Sequence, residues 1–386
     1  MYPNLQYLFQ DLFGLNISFL AYLQSFGFMV AVSFLLANYT MTLEMKRKER
    51  EGWLRPVKGM LTPEAFKKQK QSDLIGGLVM GFVLGYKLVP LFSGSANVSD
   101  IAGYFFSLEG SFGGGLLIAA IFGAFNFWQN SRKPDLQAEK EVLVHPYEIM
   151  GNLTITAAIA GLIGAKVFHN LENWSEFIQD PIGNLFTASG LTFYGGLIVG
   201  GAAVLYMAAK RHIHWRHMLD IGAPAMMLAY GVGRIGCQVA GDGDWGIVNT
   251  AVKPGWLSWL PDWAWSYTYP HNVLKEGIPI EGCTGEYCFQ LADAVYPTPL
   301  YEAVTCILLF FLIWKLRTRV KTPGMLFSIY LILNGAERFM IEKIRVNNKM
   351  DFLGMELTQA EIISFGLILA GLLGIWYFRR RPLEKA

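Results

Sequence analysis

The chain has 386 residues, 53% of them hydrophobic and only 16% charged, with a formal net charge of +2. Soluble globular chains carry roughly 25% charged residues, so this deficit, together with 41 glycines, excludes an ordinary soluble domain and points to an integral membrane protein. The basic residues come in short membrane-adjacent clusters, which excludes a nucleic-acid surface.

Apolar stretches long enough to cross a bilayer, about 17–25 residues each, fall at 17–43, 73–92, 112–129, 150–170, 191–209, 218–239, 299–316, 323–343 and 359–378. The spacing predicts an all-α polytopic membrane protein of nine transmembrane helices in one integral membrane domain, 1–386. Segments 44–72, 130–149, 210–217, 315–322 and 379–386 hold 23 Lys and Arg, whereas 1–16, 93–111, 171–190, 240–298 and 344–358 hold four. The two groups alternate as nine crossings require, so the positive-inside rule puts the N-terminus outside and the C-terminus in the cytoplasm. The first apolar run is preceded by Asp11 and by no Lys or Arg, the wrong flank for a cleaved signal peptide.

In chain order, Tyr22 to Tyr39 reads as a helix running into a cytoplasmic anchor, Lys46-Arg47-Lys48-Glu49-Arg50. Residues 51–72 are polar and basic, and an amphipathic surface helix is expected around 62–72. A similarity links Asp73-Leu-Ile-Gly76…Gly85-Tyr-Lys87 with Glu148-Ile-Met-Gly151…Gly164-Ala-Lys166 and suggests an internal duplication. Gly190-Leu-Thr-Phe-Tyr194-Gly195-Gly196 opens a glycine-punctuated helix suited to close helix packing. The basic, histidine-rich run Lys210 to His217 has the character of a headgroup-facing anchor rather than a metal site. The external loop 240–298 carries five tryptophans (245, 256, 259, 263, 265), as in an interfacial belt, and Cys283-Thr-Gly-Glu-Tyr-Cys288. In an oxidising compartment that pair reads as a disulfide closing a small loop. Cys237 and Cys306, within spans, read as small apolar fillers.

The chain is organised around Gly231 to Gly246, where Arg234 stands among glycines at the end of an apolar run and Asp242 and Asp244 follow. A charge at that depth is expensive and by default functional; the alternative is an Arg–Asp pair that only satisfies itself at a glycine-rich helix end. A second motif, Tyr296-Pro-Thr-Pro-Leu-Tyr301-Glu302, opens the seventh span. A third brings Asn334, Arg338, Glu342 and Arg345 onto one helix face at intervals of four, four and three. Two arginines thus meet acids in the outer third of the membrane. Guanidinium groups bind phosphate bidentately and stabilise charge developing on a leaving phosphate. Asp242, Asp244 and Glu342 are placed to act as a base or to hold the arginines. No Ser-His-Asp set, HExxH or P-loop is present, and no metal or other cofactor is called for. The residues alone describe an outer-leaflet site that handles phospholipid.

These motifs resemble those of bacterial prolipoprotein diacylglyceryl transferases. Gly233-Arg234-Ile-Gly236…Gly241-Asp242 is similar to that family's signature. Phe193-Tyr194-Gly195-Gly196-Leu-Ile resembles its FHGGLIG segment, Tyr296 to Glu302 its HPSQLYE, and Gly335-Ala-Glu-Arg338-Phe-Met-Ile-Glu342 its GxxRFxxE. Phe26-Gly27 with Met29 resembles its YGLM, and Asp220 to Pro224 its DxxAP. The resemblance covers 17–43 and 150–380. It implies transfer of an sn-1,2-diacylglyceryl group from phosphatidylglycerol to the lipobox cysteine of a prolipoprotein in the bacterial inner membrane. A thioether forms, glycerol phosphate leaves and no cofactor takes part. Carried over, Arg234, Arg338, Tyr194, Asp242 and Glu342 are the catalytic candidates. Arg234, Gly195, Gly196, Gln238, Gly241, Asp244, Tyr301, Glu302, Asn334 and Phe26 are the substrate-binding ones.

The chain departs from the pattern at several places. Tyr194 stands for the histidine before Gly-Gly, Cys237 for an asparagine, Asp242 for a glutamate and Asn334 for a tyrosine, and the 242–246 segment is one residue longer. The usual seven spans become nine, which marks 73–148 as an inserted helical pair. Two other readings fit the same charges: a transporter for an anionic solute, and an inactive relative.

Overall fold

The structure, a computed structural model, describes residues 1–92, 104, 109–132, 139–186, 190, 192–347, 349–352, 355–381 and 383. Parts of two expected loops, 93–103 with 105–108 and 133–138, lie outside the described residues. The helices are α1 (Leu5–Phe13), α2 (Ser25–Arg50), α3 (Pro63–Phe92), α4 (Phe112–Ser131), α5 (Met150–Glu172), α6 (Trp174–Gln179), α7 (Pro181–Phe186), α8 (Phe193–Lys210), α9 (Trp215–Ala240), α10 (Thr298–Leu316), α11 (Met325–Ile341) and α12 (Gln359–Arg380). Short antiparallel pairs join β1 (Val57–Leu61) to β2 (Lys140–Val144), β3 (Ile278–Pro279) to β4 (Phe289–Gln290) and β5 (Lys349–Phe352) to β6 (Met355–Thr358). The protein is a predominantly helical, multi-pass membrane protein.

Helix occupies each of the nine apolar stretches, but the first starts at Ser25, because residues 18–22 form a 3-10 turn. Among the described residues, six helices are long and apolar enough to cross a membrane, and Tyr194–Lys210 is a shorter apolar one. Helix α9 is not among the six. Arg216, His217, Asp220 and Arg234 lower its apolar content, and most of its residues are buried within protein. The surface helix expected around 62–72 is instead the first part of the 30-residue α3. Its Pro63 occupies the first turn, where a missing N–H costs nothing.

The chain divides into two compact units. In the first, Met1–Leu54 with Ala208–Ala386, α9 packs against α2, α10 and α11, and α12 lies along α11. Asp220 fixes three of these elements. Its carboxylate accepts the N–H groups of Gly324 (2.9 Å) and Phe327 (3.0 Å) at the start of α11, and Lys48 of α2 lies 3.6 Å away. Glu44, wholly buried, likewise joins Arg47 to Arg317.

The second unit, Arg55–Met207, is built from two similar strand–helix–helix segments. Strand β1 pairs with β2 about Gly59 and Val142, with Val57 opposite Val144 and Leu61 opposite Lys140. Each segment then forms a helix pair that closes on glycine: Gly85 against Gly114, and Gly164 against Gly195. In both, an added Cβ would strike the carbonyl of the facing glycine. The Ser111 N–H donates to Tyr86 O (2.8 Å) and the Thr192 N–H to Ala165 O (3.1 Å), at equivalent places. Ser-Phe-Gly-Gly-Gly-Leu-Leu from 111 corresponds to Thr-Phe-Tyr-Gly-Gly-Leu-Ile from 192. Gly85 and Lys87 therefore match Gly164 and Lys166. Gly76 and Gly151 do not match, because they stand nine and thirteen residues before those glycines.

Candidate active site

Arg234 sits on the last turns of α9. The helix ends at Gly241, whose left-handed backbone (φ 65°) lets its N–H cap Cys237 O at 2.9 Å. A side chain at 241 would also press on Asn272, at 3.0 Å from its Cβ. The chain then turns back so that Asp244 meets Arg234, and Asp244 O is held by the Thr298 hydroxyl (2.7 Å) at the start of α10. One turn into α10, Glu302 is wholly buried.

Glu302 is the hub. Its Oε2 faces Arg234 Nε and accepts from the Tyr230 hydroxyl at 2.9 Å. Its Oε1 accepts from Arg345 Nη1 at 2.8 Å and lies 3.6 Å from Arg338 Nη1. Arg338 also pairs with Glu342 at 3.0 Å, and Arg345 with Asp244. Three guanidinium groups from α9, α11 and the segment after α11 thus converge on three carboxylates. Arg338 Nη1 and Arg345 Nε are buried and have no hydrogen-bond acceptor among the described residues. Buried N–H donors normally find one. The cluster therefore keeps positively charged donors in reserve, which an anionic ligand can satisfy.

The two aspartates differ. Burial alone would push Asp244 up, but Arg234 and Arg345 outweigh it and hold its carboxyl below the usual range. Burial pushes Asp242 up, against the lowering effect of the Cys237 thiol that donates to it. Ligand atoms of Cys237, Asp242 and Asp244 lie within 4.8 Å of one another, the spacing of a small metal site. Both Asp244 oxygens are committed to arginines, which leaves too few donors for one.

The other expected residues are spread more widely. The Gln238 carbonyl accepts from the Tyr269 hydroxyl at 2.8 Å, tying α9 to the external loop. The Tyr301 hydroxyl donates to Trp265 O at 3.3 Å, in the tryptophan-rich part of that loop. Phe26 is exposed, and its Cα would lie 3.4 Å from a Cβ at Gly236, so α2 and α9 meet closely within a turn of Arg234. Asn334 lies one turn before Arg338 on α11. Tyr194, Gly195 and Gly196 belong to the second unit: the glycines pack on α5, and the Tyr194 side chain is 36% exposed at the first turn of α8. Cys283 and Cys288 are joined by a disulfide beside the β3–β4 pair.

Two participants were not among the expected site residues. Arg345 was visible on the face of Asn334, Arg338 and Glu342, yet it lies beyond the helix, and its role follows only from where the chain leads it. Tyr230 is one helical turn before Arg234, a position that its sequence does not distinguish from an ordinary span tyrosine.

A sequence model of the prolipoprotein diacylglyceryl transferase family matches residues 111–377. The chain belongs to that family. Members named phosphatidylglycerol–prolipoprotein diacylglyceryl transferase are similar along much of the chain. The one from Dehalococcoides mccartyi is 26% identical over 262 residues, 67% of this chain and 84% of its own length. That of Symbiobacterium thermophilum is 29% identical over 58% of this chain and 75% of its own. That of Leptospira interrogans is 27% identical over 50% and 61%. The match to the diacylglyceryl transferase family includes Arg234, Glu302, Arg338 and Tyr194, and it begins at α4, within the 73–148 segment.

Proposed function

We infer that the chain is a transferase that moves the diacylglyceryl group of phosphatidylglycerol onto the cysteine of a prolipoprotein. Membership of the family and the names of its relatives support the reaction. The single observation that carries the site is the convergence of Arg234, Arg338 and Arg345 with two buried donors unclaimed.

In this reading Arg234 and Arg338 hold the lipid phosphate. The lipobox sulfur attacks the glyceryl carbon, forming a C–S bond. The C–O bond to phosphate breaks and its electron pair stays on the phosphate oxygen, where fixed guanidinium charge stabilises it. The thiol proton leaves to a base or to the departing phosphate. An unperturbed thiol ionises near pH 8.5, so a neighbouring base assists the attack. The proposed acceptor is the carboxylate of Asp242 or Asp244, assisted by Tyr194, which stands at the place of the family histidine but whose neutral phenol is not itself a base. Asp244, Glu302 and Glu342 orient the arginines; Asp242, Gln238, Gly241, Tyr301, Asn334 and Phe26 line the ground around them.

The proposed setting is the bacterial inner membrane, with nine crossings, the N-terminus outside, the cluster at the outer leaflet and the 73–148 helices as an addition to the family's usual seven spans. The alternation of basic segments supports it. The deciding experiment is transfer of label from phosphatidylglycerol to a lipobox peptide in detergent. Wild-type protein should transfer and Arg234→Ala should not; Tyr194→Phe then reports on the hydroxyl. Folded wild-type protein that transfers from no anionic lipid would restore the anion-transporter and inactive-relative readings.

A further inference from the structure

One buried carboxyl group beside the arginines has no part in the chemistry above. Glu337 immediately precedes Arg338 on α11, and its side chain is 7% exposed. Neither of its oxygens has a hydrogen-bond donor among the described residues. Buried carboxyl groups ordinarily collect donors, and an ionised one without them is costly. The pattern GxxRFxxE leaves this position unspecified.

The groups facing Glu337 come from every side. Helix α9 contributes Tyr230 and Arg234, α10 contributes Glu302 and Cys306, and α11 with its extension contributes Arg338 and Arg345. Glu342, a turn further on, is taken by Arg338. Along Gly335, the nearest atoms of α12 belong to the Ser364 backbone and the side chains of Leu367 and Ile368. Around the cluster three guanidiniums are already matched by Asp244, Glu302 and Glu342. A charged Glu337 would add a fourth negative charge, and so would the single charge of a lipid phosphodiester. Both would draw on the same arginines in a site shielded from water, where such competition is strong.

We propose that Glu337 is a positioning residue that couples lipid binding to a proton: the arginines accept the phosphodiester of phosphatidylglycerol when Glu337 carries a proton, and an ionised Glu337 turns the lipid away. This rests on the reading of Arg234 and Arg338 as the phosphate site. The balance is simple. One carboxylate takes one proton from bulk water as one phosphodiester enters, and no covalent bond to carbon or phosphorus changes in that step.

The test uses dihexanoyl phosphatidylglycerol, whose phosphodiester keeps one negative charge throughout, titrated calorimetrically into the full-length protein in detergent. Two buffers of different ionisation enthalpy count the protons taken up between about pH 6 and about pH 10. Wild type should take up as much as one proton per lipid, and its Kd should weaken toward about tenfold per pH unit on the alkaline side. Glu337→Gln should take up none, with Kd varying less than about twofold over the same range. In the transfer assay the wild-type alkaline loss should appear in KM and not in kcat. Wild-type binding without proton uptake, or uptake that survives in Glu337→Gln, overturns the proposal. If Glu337→Gln does not fold, Glu337→Ala, which also removes the titrating group, replaces it in the same titration. Binding that is indifferent to Arg234→Ala would instead overturn the phosphate-site reading.

Discussion

Arg345 donates to Glu302 across 2.8 Å although 43 positions separate them, and this contact joins the segment after α11 to the middle of the site. Arg345 also pairs with Asp244, so one guanidinium closes a ring of charges that Arg234 closes from the other side. Neither acid is left with a single partner. Such a ring holds the arginines in place without a ligand, and preorganised charge of this kind is what the proposed phosphate role requires.

Replacing Arg345 with Ala should therefore be costly. Its side chain is nearly buried, and removing one partner of a buried ion pair typically costs about 3–5 kcal/mol. Arg345→Lys keeps the charge but loses the fork that spans Asp244 and Glu302, so it should recover only part. Thermal unfolding in detergent, alongside label transfer, checks both. An Arg345→Ala protein as stable and active as wild type would reduce the ring to decoration.

The two aspartates should give opposite pH responses. Asp244 is held below the usual carboxylate range, so its contribution to stability is present above that range and is lost as pH falls through its folded value. Asp242 is held above the range, so its contribution is present at low pH and fades as pH rises through its folded value. Unfolding midpoints followed against pH should accordingly show a shallower acid loss in Asp244→Asn than in wild type. In Asp242→Asn the decline above the carboxylate range should be reduced. The same slopes in all three proteins would remove both assignments.

Much of this site was legible in the sequence because its charges are expensive where they stand. Arg234 and Arg338 each interrupt an apolar run, and Glu302 follows an aromatic at a span's start. The helices were legible for a related reason, since an uninterrupted apolar stretch in lipid has to satisfy its own backbone. What was hidden depends on distance along the chain. No local pattern says that Arg345 returns to Glu302, or that Tyr230 faces the same acid. The internal duplication was only half legible: Gly85 and Lys87 gave the true register, but an accidental glycine at 76 obscured the rest. The stronger copy, Ser111 to Leu117 against Thr192 to Ile198, emerges once the helix pairs are seen to close on the same glycines.

Those glycine closures give the last expectation. At Gly195 an added Cβ would press on Phe168 and on the carbonyl of Gly164, which is backbone and cannot swing aside. Gly195→Ala should thus force α5 and α8 apart and cost about 1–3 kcal/mol, and Gly195→Val should cost more. Gly201, on the same helix, has nothing within 4 Å of an added Cβ. Gly201→Ala should be neutral or stabilise by about 0.5–1 kcal/mol through the better helix propensity of alanine. Thermal unfolding of the two alanine variants side by side separates close packing from simple helix propensity. Equal midpoints would show that the glycine at 195 is not needed for helix approach. A lowered midpoint for Gly195→Ala alone would tie the family's Gly-Gly segment to packing, whatever its adjacent Tyr194 does in the reaction.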